Sequence, residues 1–405
     1  MDTRVYLDCA ASTPVDPRVV ASMEPYFSAI FGNPGSVHAF GREAQAALDM
    51  GRQNIARLFG VDFGNVVFTS SATEANNLII QGAVKMYRKE QGPDHELPHI
   101  ITSSIEHESI LEACRDLEQN SLATVTYAPV NKEGFVDVAV IAGSLRKETV
   151  LVSIMYVNNV TGAIQPVEEI SKIIKGFKSD KLSPRHQSRY SPKELMYPIF
   201  HSDAAQAIHC LEKIGLYDLG MDAVTVSSHK IYGPKGAGAL IAGFSFGIGI
   251  APMIMGGMQE FGIRASTQDV PGIVGFSDAL KFVREELVQE KKHTKELKNI
   301  LVKGIISSYP RAVINSCEPC ISSVCNISFP GFGLEELLYR FDQQGIAVAA
   351  GSACSAKVLG PSHVLVAMGL DEPLTTSAIR FSFGKFITRE AMHYCVERIP
   401  LILAR

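Results

Sequence analysis

Val224-Thr-Val-Ser-Ser-His-Lys-Ile-Tyr-Gly-Pro-Lys-Gly-Ala-Gly-Ala239 sets a β-branched run against a Ser-Ser-His-Lys stop and a glycine-rich turn. The run reads as a buried strand, and the polar stop puts Lys230 at its carboxyl end. An amine in a partly desolvated cleft at that place has its pKa drawn down toward nucleophilicity, which makes Lys230 a candidate Schiff-base lysine. A surface lysine after a buried strand is the plain alternative. A P-loop fits poorly, because Gly233-Pro-Lys-Gly-Ala-Gly238 leads into Ala239 and Leu240 rather than Lys-Ser or Lys-Thr.

Working outward, strand and helix patterns alternate on both sides of this stretch. Asp16-Pro-Arg-Val-Val begins a helix with an acidic cap, Phe31 to Ser36 is a turn cluster, and a second helix spans Gly41 to Leu58. Asn65 to Ser70 is a strand that runs into Ser71-Ala-Thr-Glu74 and a helix. The backbone N–H groups at Ala72 and Thr73, with the helix dipole behind them, suit a phosphate, although a plain N-cap has the same signature. Further strands at His99–Ser103 and Thr149–Met155 alternate with helices after Glu106-His-Glu-Ser and over Val167 to Phe177. The expectation is an α/β fold with a mainly parallel sheet, in which ligands bind beyond the carboxyl ends of the strands. His107, Asn159, Asp203 and Lys230 all fall at that edge. Asp203, following Pro198-Ile-Phe-His-Ser202, serves equally as a helix cap or as the partner of a positive ring nitrogen.

Residues 179–198, with three prolines and several basic residues, read as an exposed insertion. Gly236 to Met258 has no formal charge, but its seven glycines and Pro252 favour strand, turn and strand over a membrane span. A long amphipathic helix from Asp278 to Ser307 leads to a second αβ unit with strands at Val324–Phe329, Ile346–Ala350 and Ser377–Phe383 and a helix at Leu334–Gln343. The expected division is a large domain over 16–262, holding the insertion, and a small domain formed by 1–15 with 263–405.

Composition sets the outer bounds. The chain has 405 residues, 46% of them hydrophobic, and a net charge of −4. That charge shows no basic excess, which disfavours nucleic acid or an anionic membrane as the principal partner. The first residues have neither the basic region nor the apolar run of a signal peptide, so a cytoplasmic setting is expected. The eight cysteines are scattered and read as free thiols. Cys317-Glu-Pro-Cys320, with Cys325 behind it, is an incomplete zinc set, read as thiols at a strand entry. No metal is expected.

Six blocks occur in order: Ser71-Ala-Thr-Glu74, Glu106-His107, Asn158-Asn159, Asp203-Ala-Ala-Gln206, Ser227-Ser-His-Lys230 and Gly351-Ser-Ala-Cys354. Together with Ala378-Ile-Arg-Phe-Ser382 they resemble the pyridoxal-phosphate-dependent cysteine desulfurases of the bacterial iron–sulfur assembly type, within the class V aminotransferases. The resemblance implies the type I, aspartate-aminotransferase-like fold, and a homodimer. It makes Lys230 the lysine that carries the cofactor, His107 the imidazole stacked on its ring, and Asp203 the partner of the ring nitrogen. Gln206 contacts the ring hydroxyl, and Ala72, Thr73, Ser227 and His229 hold the phosphate, joined by Thr267 of the other subunit. Arg380 grips the substrate carboxylate with Asn159 nearby. Cys354 accepts the sulfur of L-cysteine, leaving L-alanine and a persulfide that passes to a cluster scaffold or another sulfurtransferase, the sulfur ending in iron–sulfur clusters, thiolated tRNA or modified DNA. Selenocysteine lyase is the alternative, and a non-catalytic scaffold that kept the fold is a weaker one. The chain departs from the family at Val160, where a glutamate is usual, at Gly256-Gly-Met-Gln-Glu260 and Ser266, where more glycine is usual, and in its short end at Arg405.

Overall fold

A computed structural model describes residues 4–92, 95–181, 196–244, 246–351 and 360–404. Twelve strands form along the described chain: β1 (Val5–Tyr6), β2 (Val66–Thr69), β3 (His99–Ser103), β4 (Thr124–Ala128), β5 (Thr149–Ser153), β6 (Ile199–Asp203), β7 (Ala223–Ser227), β8 (Gly238–Ala242), β9 (Val313–Ile314), β10 (Val324–Ser328), β11 (Ile346–Ala347) and β12 (Ala378–Ser382). The main sheet has seven strands in the order β2-β8-β7-β6-β5-β3-β4. The pairings from β7 across to β4 are parallel, and β8 runs antiparallel to both β2 and β7.

This sheet is covered on both faces, which is why β2, β5 and β7 are β-branched and apolar with no clean alternation. On one face the helices Ala39–Phe59 and Val167–Lys181 and the first half of the helix Val270–Ser308 pack through Leu48, Phe59, Ile170, Ile174, Ile273 and Phe276. On the other face lie Ala72–Gln91 and Glu108–Gln119, through Ile79, Ala83, Ile110 and Leu117. A second, antiparallel sheet has the order β12-β10-β9, and β1 pairs with β11 beside it. Its core joins Leu7, Phe329, Phe341 and Phe381 to the second half of Val270–Ser308 and to the helix Arg389–Ile402.

The structure corrects four expectations. Beyond β8 the uncharged stretch does not return as a strand among the described residues. A short helix, Phe246–Gly249, forms instead, because Phe246 and Ile250 pack into the core under Ala72–Gln91 and the Ala251 amide bonds Gly82 O at 2.9 Å. The long helix starts at Val270, eight residues before Asp278, with Asp269 capping it and Pro271 in its first turn. Residues 179–181 complete the helix Val167–Lys181 and Lys181 is buried, as is Tyr197, while 182–195 lie outside the described residues. The strand expected over Ile346–Ala350 is reduced to β11, since Ala349 bonds Arg380 only as an isolated bridge. No described helix is long and apolar enough to cross a membrane.

Candidate active site

β7 ends at Ser227 and the chain turns at once through a single helical turn, Ser228–Lys230. The Gly233 amide closes this turn on Ser228 O at 3.1 Å. A side chain at Gly233 would meet Ser228 Oγ at 2.1 Å, so glycine is needed there. Lys230 thereby reaches a cleft whose wall includes Thr73, His107, Asn159, Asp203, His229 and Arg380. Most of these residues follow the ends of strands of the large sheet, Thr73 opens a helix, and Arg380 comes from within β12 of the second sheet.

Asp203 is the last residue of β6 and is buried. Its Oδ2 accepts from Asn76 Nδ2 at 2.8 Å and its Oδ1 from the Ala205 amide at 2.9 Å. Asn76 Nδ2 also donates to Ser109 Oγ at 2.9 Å, and Ser109 Oγ lies 2.8 Å from His107 Nδ1. The Ser109 amide donates to the same nitrogen at 3.1 Å. Nδ1 is thus an acceptor, and the ring proton sits on Nε2. Burial, helped by the nearby Lys230 charge, pulls the pKa of His107 down to about 4, so the ring is neutral. Behind it Glu106 is fully buried and its pKa is pushed up to about 8 by burial. Ser103 Oγ donates to that carboxyl at 2.5 Å and the Met155 amide at 3.0 Å.

A second group of contacts forms an anion seat. Ser71 caps the helix Ala72–Gln91 by accepting from the Glu74 amide at 3.2 Å, and Ala72 and Thr73 line the cleft at the positive end of the dipole. The Ser227 hydroxyl is buried and has no hydrogen-bond partner among the described residues, an orphan that a phosphate oxygen would satisfy. His229 Nδ1 lies 3.3 Å from Ser12 Oγ, and burial holds its pKa near 4. A flat ring with a basic nitrogen and a phosphate arm would find a carboxylate, a neutral imidazole and an anion seat here.

Arg380, in the middle of β12, is almost fully buried. Its Nη1 donates to Asn159 O at 3.0 Å and its Nη2 to Asp8 Oδ1 at 2.7 Å, leaving Nε buried with no hydrogen-bond partner among the described residues. Val160 is fully buried in a cluster with Ile105, Met155, Val364 and Leu365, so an apolar contact stands where the family pattern has a charge.

Gln206 and Ser227 are buried beside the lining residues Ala205 and His229, and Gln206 Nε2 donates to Ala10 O at 2.8 Å. Thr267 is exposed and is not on the wall. Cys354 lies outside the described residues. Cys317 and Cys320 are free thiols, with Lys298 Nζ 3.1 Å from Cys320 Sγ, and no group of ligands able to hold a metal occurs among the described residues.

Reading the sequence missed Asn76, Ser109 and Asp8. Asn76 did leave a signal, because it shares a helix face with Ile79, Ile80 and Ala83, where an uncompensated amide is out of place. Asp8 and Ser109 leave no local signal, since their partners are remote or are set by the cap.

A family model described as Aminotransferase class-V matches residues 5–180 and 194–394. A cysteine desulfurase IscS of Dictyoglomus turgidum is 36% identical over 406 residues, covering 100% of this chain and 96% of the relative. A putative cysteine desulfurase IscS 1 of Bacillus subtilis is 38% identical over 404 residues, covering 99% of each. Among solved structures, a NifS-like protein superposes with a TM-score of 0.86 at 33% identity, covering 99% of this chain and 100% of that one. SspA in complex with cysteine gives 0.78 at 33% identity, over 94% of this chain and 99% of that one.

Proposed function

Since the chain belongs to the class-V aminotransferase family, whose members use pyridoxal phosphate, we propose that it is a cysteine desulfurase, taking sulfur from L-cysteine, releasing L-alanine and keeping the sulfur as a persulfide on Cys354. The observation that carries this reading is the meeting of Lys230, Asp203, His107 and Arg380 on one cleft. Bound there, the cofactor supplies an electron sink for charge developing at the substrate Cα.

The chain's own residues do the rest. Asp203, oriented by Asn76 and the Ala205 amide, holds the proton of the ring nitrogen. Neutral His107 offers its ring face, and Gln206 meets the ring hydroxyl. Ala72, Thr73, Ser227 and His229 take the phosphate, and Arg380 with Asn159 takes the substrate carboxylate. Lys230 Nζ moves the proton at Cα. The Cys354 thiolate bonds to the substrate sulfur as the Cβ–Sγ bond breaks, and the electron pair left on Cβ is protonated to give alanine.

The working unit is a cytoplasmic homodimer. What supports the dimer is that Thr267, which the family resemblance assigns to the phosphate of the other subunit, is exposed and off the wall of its own chain's cleft. The sulfur passes to an acceptor protein, for cluster assembly or tRNA thiolation.

The test is to supply the purified protein with pyridoxal phosphate, a reductant and L-cysteine, and to measure alanine and sulfide. Cys354→Ser should keep the colour of the bound cofactor and stop desulfuration. Sulfide production that survives this substitution removes Cys354 from the scheme, and no alanine from the unaltered protein removes the activity itself. L-selenocysteine in parallel separates a selenocysteine lyase, which would reject cysteine.

A further inference from the structure

We propose that Thr13 is the positioning residue of Lys230, an inference that rests on the reading of Lys230 as the cofactor lysine. Thr13 lies on the segment between β1 and the first helix, far from Lys230 in sequence, and is buried. Its hydroxyl makes two bonds to one turn. Oγ1 donates to His229 O at 2.9 Å and accepts from the Tyr232 amide at 2.8 Å. The first partner immediately precedes Lys230 and the second lies two residues beyond it, so a single side chain brackets the lysine. The Thr13 amide adds a further bond to His229 O at 2.8 Å.

The bracket is needed because of how the turn is built. Tyr232 has φ +64°, a left-handed conformation that is an outlier for a bulky residue and relaxes unless its surroundings hold it. Those surroundings are specific. The Tyr232 hydroxyl donates to Glu290 and accepts from the Lys385 amide at 2.9 Å, and Tyr232 O accepts from the Asp16 amide at 2.9 Å. These bonds fix the far end of the turn, and the Thr13 hydroxyl ties that end directly back to the residue before Lys230. The same segment also serves the cleft directly, since Ala10 and Ala11 line it and Ser12 meets His229. A proton transfer at Cα depends on where the amine stands, and a misplacement of about 1 Å can cost about a hundredfold in rate.

Thr13→Val keeps the side-chain shape and removes the hydroxyl, whereas Thr13→Ser keeps the hydroxyl. With pyridoxal phosphate bound, Thr13→Val should lower kcat for L-cysteine by about ten- to a hundredfold with KM changed less than about twofold. It should also move the midpoint at which the bound cofactor's absorbance titrates with pH. Thr13→Ser should restore both. A Thr13→Val protein with a lower melting temperature but unchanged kcat and midpoint overturns the proposal, because a merely structural contact would behave that way. Should Thr13→Val not fold, hydrogen exchange of the unaltered holoenzyme decides: the Tyr232 amide should be as protected as the amides of β7, and fast exchange there overturns the bracket. Failure of the functional reading looks different, for then the unaltered protein binds no cofactor or makes no alanine.

Discussion

Asn76 spends both hydrogens of one amide nitrogen on two residues of the site, Asp203 and Ser109. Replacing it with aspartate would set a second carboxylate where a donor now sits 2.8 Å from Asp203. The like charges would compete for one proton and disturb the Asp203 carboxylate. Asn76→Asp should therefore weaken pyridoxal phosphate binding by about ten- to a hundredfold, read by titrating the apoprotein with cofactor and following absorbance. Binding unchanged within about twofold would mean that Asp203 is oriented without Asn76. That Lys230, Asp203 and His107 share one cleft was legible in the sequence, because a polar stop after an apolar run marks a strand's end, whereas the roles proposed for them come from the family resemblance. Asp8 and Thr13 were not, because their roles exist only once remote segments meet, and Asn76 showed only as an amide on an apolar helix face.

At the scale of elements, β8 shows how glycine carries the site. A Cβ on Gly238 would stand 2.8 Å from the Ser71 backbone carbon and 2.9 Å from Val226 O, between the cap of the helix Ala72–Gln91 and the strand that delivers Lys230. Gly238→Ala should cost about 1–3 kcal/mol of stability, measured by urea unfolding, and should loosen cofactor binding by pushing Ser71 outward. A variant with wild-type stability would mean that the cap has room to move. The alternation of strands and helices was legible from period and composition. The true start of the helix Val270–Ser308 was hidden by Gly272 and Gly275, residues that argue against a helix interior. Their reason is packing: a Cβ at Gly272 would meet Asp269 Oδ2 at 2.2 Å, and one at Gly275 would meet Met23 Sδ at 2.5 Å. Close approach was preferred over propensity, and nothing local reports that.

At the scale of the molecule, buried titrating groups shape stability from both sides of neutrality. His107, His201 and His209 are each held near 4 from an ordinary 6.5, with burial the first cause. The fold keeps them neutral where the unfolded chain takes up protons. Stability is therefore lost as pH falls from about 6.5 toward 4, by up to about 1.4 kcal/mol per pH unit for each proton. Glu106 acts in the other direction. Its pKa is raised from 4.5 to about 8, so the stability it contributes is lost as pH rises between those values. Below about pH 6.5 the three imidazoles outweigh the one carboxyl, and above it only the carboxyl remains, so these four groups place a maximum near pH 6.5. In denaturation measured across pH, Glu106→Gln should flatten the alkaline limb and steepen the acid limb between about pH 4.5 and 6.5, where the carboxyl opposes the imidazoles. An alkaline limb of unchanged slope would show that the carboxyl is not held protonated by the fold.

The helix Val270–Ser308 has 39 residues, which makes it a rod about 58 Å long. Its first half belongs to the core of the large sheet and its second half to the core of the small one. The covalent join between the two sheets on this side is thus a continuous helix rather than a loop. Widening the cleft means flexing that rod, so its aperture is braced like a jaw with a splint across the joint. Heat should then melt both sheets in one calorimetric peak.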